Sequence, residues 1–544
     1  MHLPGRTPGR VAAVAVLAVA LPLLTAACGK DDPGPAAAVA EKRSAAEGRT
    51  LVVDTSFIVK SLDPQRNLQP TALMANKATY DTLLTSTGSG ATPRPSAAAS
   101  FTASADAKRY TFRLRDDIVF SDGSPLRAAD VVFSFRRLLA LADAPSYLLA
   151  GVTATAPDDH TVVLESATPN PAIPTIVTSP ALGIVNSTVV KAHGGDDGAH
   201  AADRDKAERY LNANSAGSGP YVLKSYASGE RIALTANPKY WNARARPAFA
   251  DVVIRNMQAP AQLLNVQRGT DEVALDLSAQ QAAGLRSNEK LQVSTGASPN
   301  LFTLQANQDP KVSPVTSNLQ IQAAIRRGVD YAGLVATAGA GTVQAAGVIP
   351  IPFLGALPTD QAVTRDVAEA RRLVAASGIE DPKIRLSFPS DISINGLQFA
   401  TLAQRVAADL QEIGIDVALA AEPVVTFLPK YKAGKDAMVL SYWGPDYTDP
   451  QDYLVFTPGG TVAKFMSWKA GADPGLEALA ARAGATSDDV VRKDLFTRIQ
   501  RRLNERSPWI PLIQPAQAIV GSSGLTGLAL HSTWTLDLAA VAVR

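Results

Sequence analysis

The chain has 544 residues, 46% of them hydrophobic, and its 52 Lys and Arg nearly cancel 50 Asp and Glu to leave a net charge of +2. That length exceeds what one hydrophobic core organises, so two or three domains are expected. Without clustered positive charge a nucleic-acid groove is disfavoured, and a single cysteine excludes intrachain disulfides and cysteine-built metal clusters.

The chain opens with Arg6 and Arg10, then the apolar run VAAVAVLAVALPLLTAAC. Charged, apolar and small residues in that order predict a secretory signal over 1–27. The run is short for a membrane span and contains Pro22, which argues against a permanent transmembrane helix. Cys28 directly follows Thr25, Ala26 and Ala27, an arrangement that resembles a bacterial lipobox. The resemblance implies that Cys28 is lipidated; the alternative is an ordinary signal with an incidental cysteine. Residues 28–49, rich in Ala, Gly and Pro, read as a flexible tether.

From Thr50 onward short β-type runs alternate with helices, as in an α/β protein. TLVVDTSFIV predicts a strand and SLDPQRNLQP a loop. YTFRL alternates like a half-buried strand, SDGSP is a turn, and LRAADVVFSFRRLLAL places Val131, Phe135 and Leu138 on one helical face. Asp366 and Glu369 cap a helix that Gly378 stops, and Leu402, Val406, Leu410 and Ile413 line another that ends at Gly414. A helix over SDDVVRKDLFTRIQRRLNE precedes SPWIPLI, where Pro508 and Pro511 predict edge or extended backbone.

Catalytic frames are missing. None of His2, His160, His193, His200 and His531 lies in a GxSxG or HExxH setting, and GSGPY at 217–221 lacks the lysine and helix of a phosphate loop. HGGDDGAH, with His193, Asp196, Asp197 and His200, carries metal-ligand chemistry, but its glycines favour a solvated loop. The richest stretch is SYWGPDYTDPQDYL at 441–454, with Asp446, Asp449 and Asp452 among four aromatic rings. It lacks the alternate-residue oxygens and bend glycine of an EF-type calcium loop.

YTFRLRDDIVFSDGSPLRAADVVFSF resembles the signature of the family 5 solute-binding proteins of ABC importers, the group with oligopeptide-, dipeptide- and nickel-binding members. SLDP and YDTLL within 61–84, GSGPYVLKSY, NPKYWN, IQAAIRRGVDYAGLV, WGPDYTDPQDYL and RIQRRLNERSPWIPL follow in the family's order. The resemblance implies a two-lobed α/β fold of the periplasmic-binding-protein type with an extra domain. Lobe one is expected from 50–73, 195–300 and 490–544, the extra domain from 74–194, and lobe two from 301–489.

It further implies that Asp446 receives the α-ammonium group of a peptide, because a buried cation must be paired. Backbone near Tyr442 and Gly444 would pair with the ligand as an added strand does, and Trp443 would wall a side-chain pocket. Asn67, Leu68 and Gln69 are expected to meet the ligand from lobe one, and Phe302 to line a pocket, the alternative being core packing, the commoner fate of such a phenylalanine. Asp449 reads as a turn former and Asp452 as a helix cap. Leu440 stands where some oligopeptide binders carry arginine, so no partner for a ligand carboxylate is assigned.

The expected function is a lipid-anchored extracytoplasmic receptor that captures peptides and delivers them to the permease subunits of an ABC importer. Neither catalysis, cofactor nor structural metal is expected, and the protein should be a monomer held at the membrane by its lipid. Alternatives are the same fold with a nickel chelate, oligosaccharide or amine compound, or a secreted hydrolase using dispersed carboxylates. The hydrolase lacks flanking pairs, since Asp116/Asp117 and Asp158/Asp159 are neighbours in turns.

Overall fold

A computed structural model describes residues 48–88, 92–351 and 353–544. The signal 1–27, Cys28 and nearly all of the tether 28–49 lie outside the described residues. Among those described, no helix is long and apolar enough to cross a membrane.

Local signals act as the sequence predicts. Asp366 accepts from the Glu369 N–H and caps the helix Val367–Ala376, after which Gly378 takes a φ of +71°. The helix Ala128–Leu141 buries Val131, Phe135 and Leu138 against a four-stranded antiparallel sheet ordered Ala98–Ala103, Arg109–Leu114, Thr161–Ser166, Val152–Asp158.

Two larger mixed sheets make the lobes. The first runs, in spatial order, Leu291–Ala297, Ala516–Ser522, Glu272–Ala274, Thr50–Thr55, Asp251–Asn256, Arg231–Ala236, Tyr221–Ala227. In the second the order is Val343–Gln344, Trp509–Gln514, Leu301–Ala306, Met438–Trp443, Lys383–Pro389, Asp416–Glu422. Both faces of this second sheet are covered. Along Met438–Trp443, Met438, Leu440 and Tyr442 face one apolar cluster while Val439 and Trp443 face the other, as a period of two requires.

The chain changes sheet twice, between Ala297 and Leu301 and between Gln514 and Ala516. The two crossings are tied together: Gln514 Nε2 donates to Ser298 O at 2.7 Å, and Ser298 N donates to Pro515 O at 3.1 Å.

The expectation that 490–544 belongs wholly to lobe one is corrected. The helix Asp489–Arg506 buries Leu495, Phe496, Ile499 and Leu503 against the six-stranded sheet, and Trp509–Gln514 is a strand of that sheet. Only from Ala516 does the chain return to the seven-stranded sheet. Nor is Trp509–Gln514 an edge. Its outer neighbour Val343–Gln344 pairs only with Gln514 and Ile513, so Pro511 lies beyond that ladder and its missing N–H breaks no bond with it.

The GSGPY motif acts by close approach. A Cβ on Gly219 would stand 2.5 Å from the carbonyl carbon of Thr79, and one on Gly217 2.1 Å from its oxygen, at the end of the helix Pro70–Thr79. Gly219→Ala is therefore expected to destabilise by about 2–3 kcal/mol, as overpacking does. Gly284→Ala, where a Cβ meets open space, should stay within about 0.5 kcal/mol. Thermal unfolding of both variants checks the contrast.

Candidate functional site

The strand Met438–Trp443 leaves an open edge. It pairs along its length with Leu301–Ala306, but with Lys383–Pro389 only at Met438 and Val439. From Leu440 onward the main chain is thus unpaired on one side, and it runs through a loop with Pro445 into the 3₁₀ helix Pro450–Phe456, where Pro450 takes the first position. A Cβ at Gly444 would lie 2.5 Å from Asn300 Oδ1, so a side chain there would require the Asn300 amide to shift.

Asp446, 6% exposed, and Asp452, fully buried, lie side by side in this loop. The Asp446 N–H donates to Asp452 Oδ2 at 2.9 Å. The Tyr147 hydroxyl reaches in from the four-stranded-sheet body, donating to Asp446 Oδ2 and lying 3.0 Å from Asp452 Oδ1. Neither carboxylate joins an ion pair among the described residues. Asp449 does: its Oδ1 is 2.6 Å from the Arg492 guanidinium.

Burial raises the Asp446 carboxyl above its ordinary range, and the Tyr147 hydrogen bond only partly opposes this. Asp452 is raised as well, first by burial and then by the neighbouring Asp446 charge. Two carboxylates enclosed together without a cation cannot both ionise cheaply. A cation brought by a ligand would relieve them.

Two further contacts hold the loop against the same body. Tyr447, 4% exposed, inserts into the apolar cluster of the four-stranded sheet, and Gln451 Nε2 donates to Asn170 Oδ1 at 3.0 Å. On the seven-stranded side Asp276 is buried, and its charge adds to the burial that pushes the Tyr442 hydroxyl up. Its carboxylate accepts from Thr55 Oγ1 at 2.7 Å and the Ser56 N–H at 2.6 Å, and burial raises its pKa.

The predicted residues separate into groups. Tyr442 and Trp443 are half-buried at the strand end beside Asp446, the Trp443 ring meeting Phe456 edge-on at 5.4 Å. Asp449 caps the turn Pro450–Phe456 through the Gln451 N–H. Asp452 is not the cap expected of it, because its oxygens serve Tyr147 and the Asp446 N–H instead.

Phe302 is corrected from pocket to core. It is fully buried, 5.3 Å from the Phe399 ring, on the face of its strand that turns into the lobe. Leu440 is buried in the same cluster, and its apolar side chain offers no charge to a ligand carboxylate. On the other lobe the Asn67 amide donates to Ser61 O and Asp63 O, bracing its own loop. Leu68 packs on the four-stranded-sheet cluster, while Gln69 keeps a buried carbonyl oxygen without a partner.

Tyr147 and Asp276 were missed by sequence reasoning. Tyr147 lies 299 residues from Asp446 in a plain APSYLL stretch, so only the fold brings them together. In HGGDDGAH, His193 stacks on Tyr210 at 3.6 Å and Asp196 closes a turn on the Gly198 N–H. No group of three or more His, Cys, Asp or Glu suited to hold a metal occurs among the described residues.

Comparison with known proteins places this architecture. Residues 92–464 match the profile of bacterial extracellular solute-binding proteins, family 5, and the chain belongs to that family. It is 27% identical over 446 residues to the probable D,D-dipeptide-binding periplasmic protein DdpA of Escherichia coli, covering 80% of this chain and 81% of that one. With di/tripeptide-binding protein 2 of Pseudomonas aeruginosa it shares 25% identity over 520 residues, covering 91% and 95%. Its fold resembles the periplasmic binding protein DppA of Helicobacter pylori in complex with the peptide STSA. The TM-score is 0.79 at 20% identity, covering 91% of this chain and 98% of that one.

Proposed function

We propose that this family 5 solute-binding protein is the receptor of an ABC importer for peptides, that it holds the ligand's α-ammonium group at Asp446, and that it passes the ligand to permease subunits. The observation that carries this reading is the Asp446 carboxylate, buried, adjacent to a second carboxylate and lacking a cationic partner among the described residues. The unpaired edge of Leu440–Trp443 suits an extended main chain beside it, and relatives named for di- and tripeptide binding agree with a short peptide.

In this reading the seven- and six-stranded lobes close about the paired crossings, the four-stranded body contributes Tyr147, and Cys28 carries the lipid that keeps the receptor at the outer face of the membrane. As no catalytic constellation is needed, binding and release are the whole activity.

A thermal-shift panel tests the proposal, using protein without residues 1–28. A mixed pool of di- to pentapeptides, the same pool N-acetylated, nickel with histidine, and oligosaccharides are compared. Ligands that bind only the folded state raise its Tm. A rise confined to free-amine peptides is expected; a response to nickel or sugar alone would replace the peptide assignment.

The site also sets a pH dependence. Both carboxylates have folded-state pKa values raised above those of the unfolded chain. The stability they contribute is present below the unfolded pKa and is lost as pH rises through the folded values. A bound ammonium favours the ionised form and reverses that loss. The Tm rise given by a free-amine peptide is therefore expected to grow from about pH 5 to about pH 8, with no such growth for its acetylated counterpart.

A further inference from the structure

One ammonium group does not satisfy this site. Asp446 and Asp452 are both more than nine-tenths buried, and together they would place two negative charges in one enclosed loop. Arg492 is committed to Asp449, at 2.6 Å, and no other Lys or Arg among the described residues pairs with either carboxylate.

The same loop holds further unpartnered polar groups. Gln451 Oε1, Thr448 Oγ1 and the Tyr453 hydroxyl are buried without hydrogen-bond partners, and each can accept. Tyr453 is 1% exposed, and its hydroxyl feels the Asp452 and Asp446 charges. The Thr448 and Tyr453 hydroxyls can donate as well as accept, and the Trp443 indole N–H is likewise buried without a hydrogen-bond partner. Two adjacent buried carboxylates with no cation paired to either among the described residues suit a donor-rich cation.

We infer that the ligand head carries two positive charges, one for each of Asp446 and Asp452, as in a peptide whose first residue is a basic diamino acid or arginine. This rests on the reading of Asp446 as the ammonium partner. With a single charge present, Asp452 must either stay protonated or remain a buried anion without a counterion; a second cation lets both carboxylates ionise. Asp452 is then a specificity-determining residue, and its bonds to Tyr147 and the Asp446 N–H orient it toward the ligand head.

Calorimetric titration of the chain without residues 1–28 tests the inference with lysyl-alanine, arginyl-alanine, norleucyl-alanine and N-acetyl-lysyl-alanine. Norleucine matches lysine in length but lacks the charge. The two basic dipeptides are expected to bind at least about tenfold tighter than norleucyl-alanine. Asp452→Asn should erase that preference by weakening the basic dipeptides alone.

Equal affinity of lysyl- and norleucyl-alanine for the native protein would overturn the inference while leaving Asp446 in its role. So would an equal loss of both in Asp452→Asn, which would mark Asp452 as a brace of the loop. Tight binding of the acetylated peptide, or binding of none of the four, would remove the underlying ammonium reading as well. The comparison on native protein keeps the inference falsifiable if the variant does not fold.

Discussion

Asp446→Asn is expected to weaken binding of a free-amine peptide by about a hundredfold, because truncating one partner of a desolvated charge pair costs roughly 2–5 kcal/mol. Binding of an N-acetylated peptide, already weak, should barely change. Stability separates this role from a structural one. The substitution removes a buried carboxylate that has no cation beside it, so the unliganded protein should melt no lower than the native one. A calorimetric titration paired with a melting curve reads both effects. A fall in Tm with binding intact would make Asp446 a loop brace.

Arg137→Ala is expected to produce the largest loss of stability. Arg137 is fully buried in the helix Ala128–Leu141 and joins three residues distant in sequence. Its guanidinium donates to Asp63 Oδ1 at 2.8 Å, Gln65 Oε1 at 2.7 Å and both oxygens of Asp205 at 2.7 and 2.9 Å. Burial raises the Asp205 pKa, but Arg137, the Asp196 N–H and Arg66 together outweigh it and hold the carboxyl below its ordinary value. Removing the arginine leaves Asp63 and Asp205 buried with only Arg66, 3.4 and 3.1 Å away, to share. A loss of about 3–5 kcal/mol follows, visible as a lower denaturant midpoint. A change below about 1 kcal/mol would mean that Arg66 takes over the pairing.

The two substitutions separate what a buried charge does in this chain. In the Arg137 network every charge is matched within the protein, and the network ties the 63–65 turn and Asp205 to the four-stranded-sheet body. At Asp446 the match is left to the ligand. The first arrangement resists unfolding; the second gives up some stability so that a cation is bound strongly when it arrives.

Local features were legible in the sequence because their causes are local. The Asp366 cap, the face of Val131, Phe135 and Leu138, and the stop at Gly414 each depend on residues within a few positions of one another. The ordered motifs carried the two-lobed α/β fold further than any single one. Sheet membership was less legible: SPWIPLI reads as a strand, yet nothing local says that it joins the six-stranded sheet rather than the seven-stranded one. The apolar face of Asp489–Arg506 holds it there.

At the site, the aromatic and acidic loop at 441–454 was visible, but its partners were not. Phe302 could have faced a cleft or the core, and strand alternation alone does not choose between two buried faces. Asp452 followed a proline and looked like a cap, whereas Asp449 took that role through the Gln451 N–H. Tyr147 carries no motif, and its hydroxyl matters only because folding sets it against two carboxylates.

The most direct measurement is a crystal structure of the protein with a bound free-amine dipeptide. The ligand's amino nitrogen is expected within about 3 Å of an Asp446 carboxylate oxygen, and its main chain along the open edge of Leu440–Trp443. A ligand whose amino group lies elsewhere, with the Tyr147 hydroxyl still bonded to Asp446, would contradict the ammonium-binding role of Asp446.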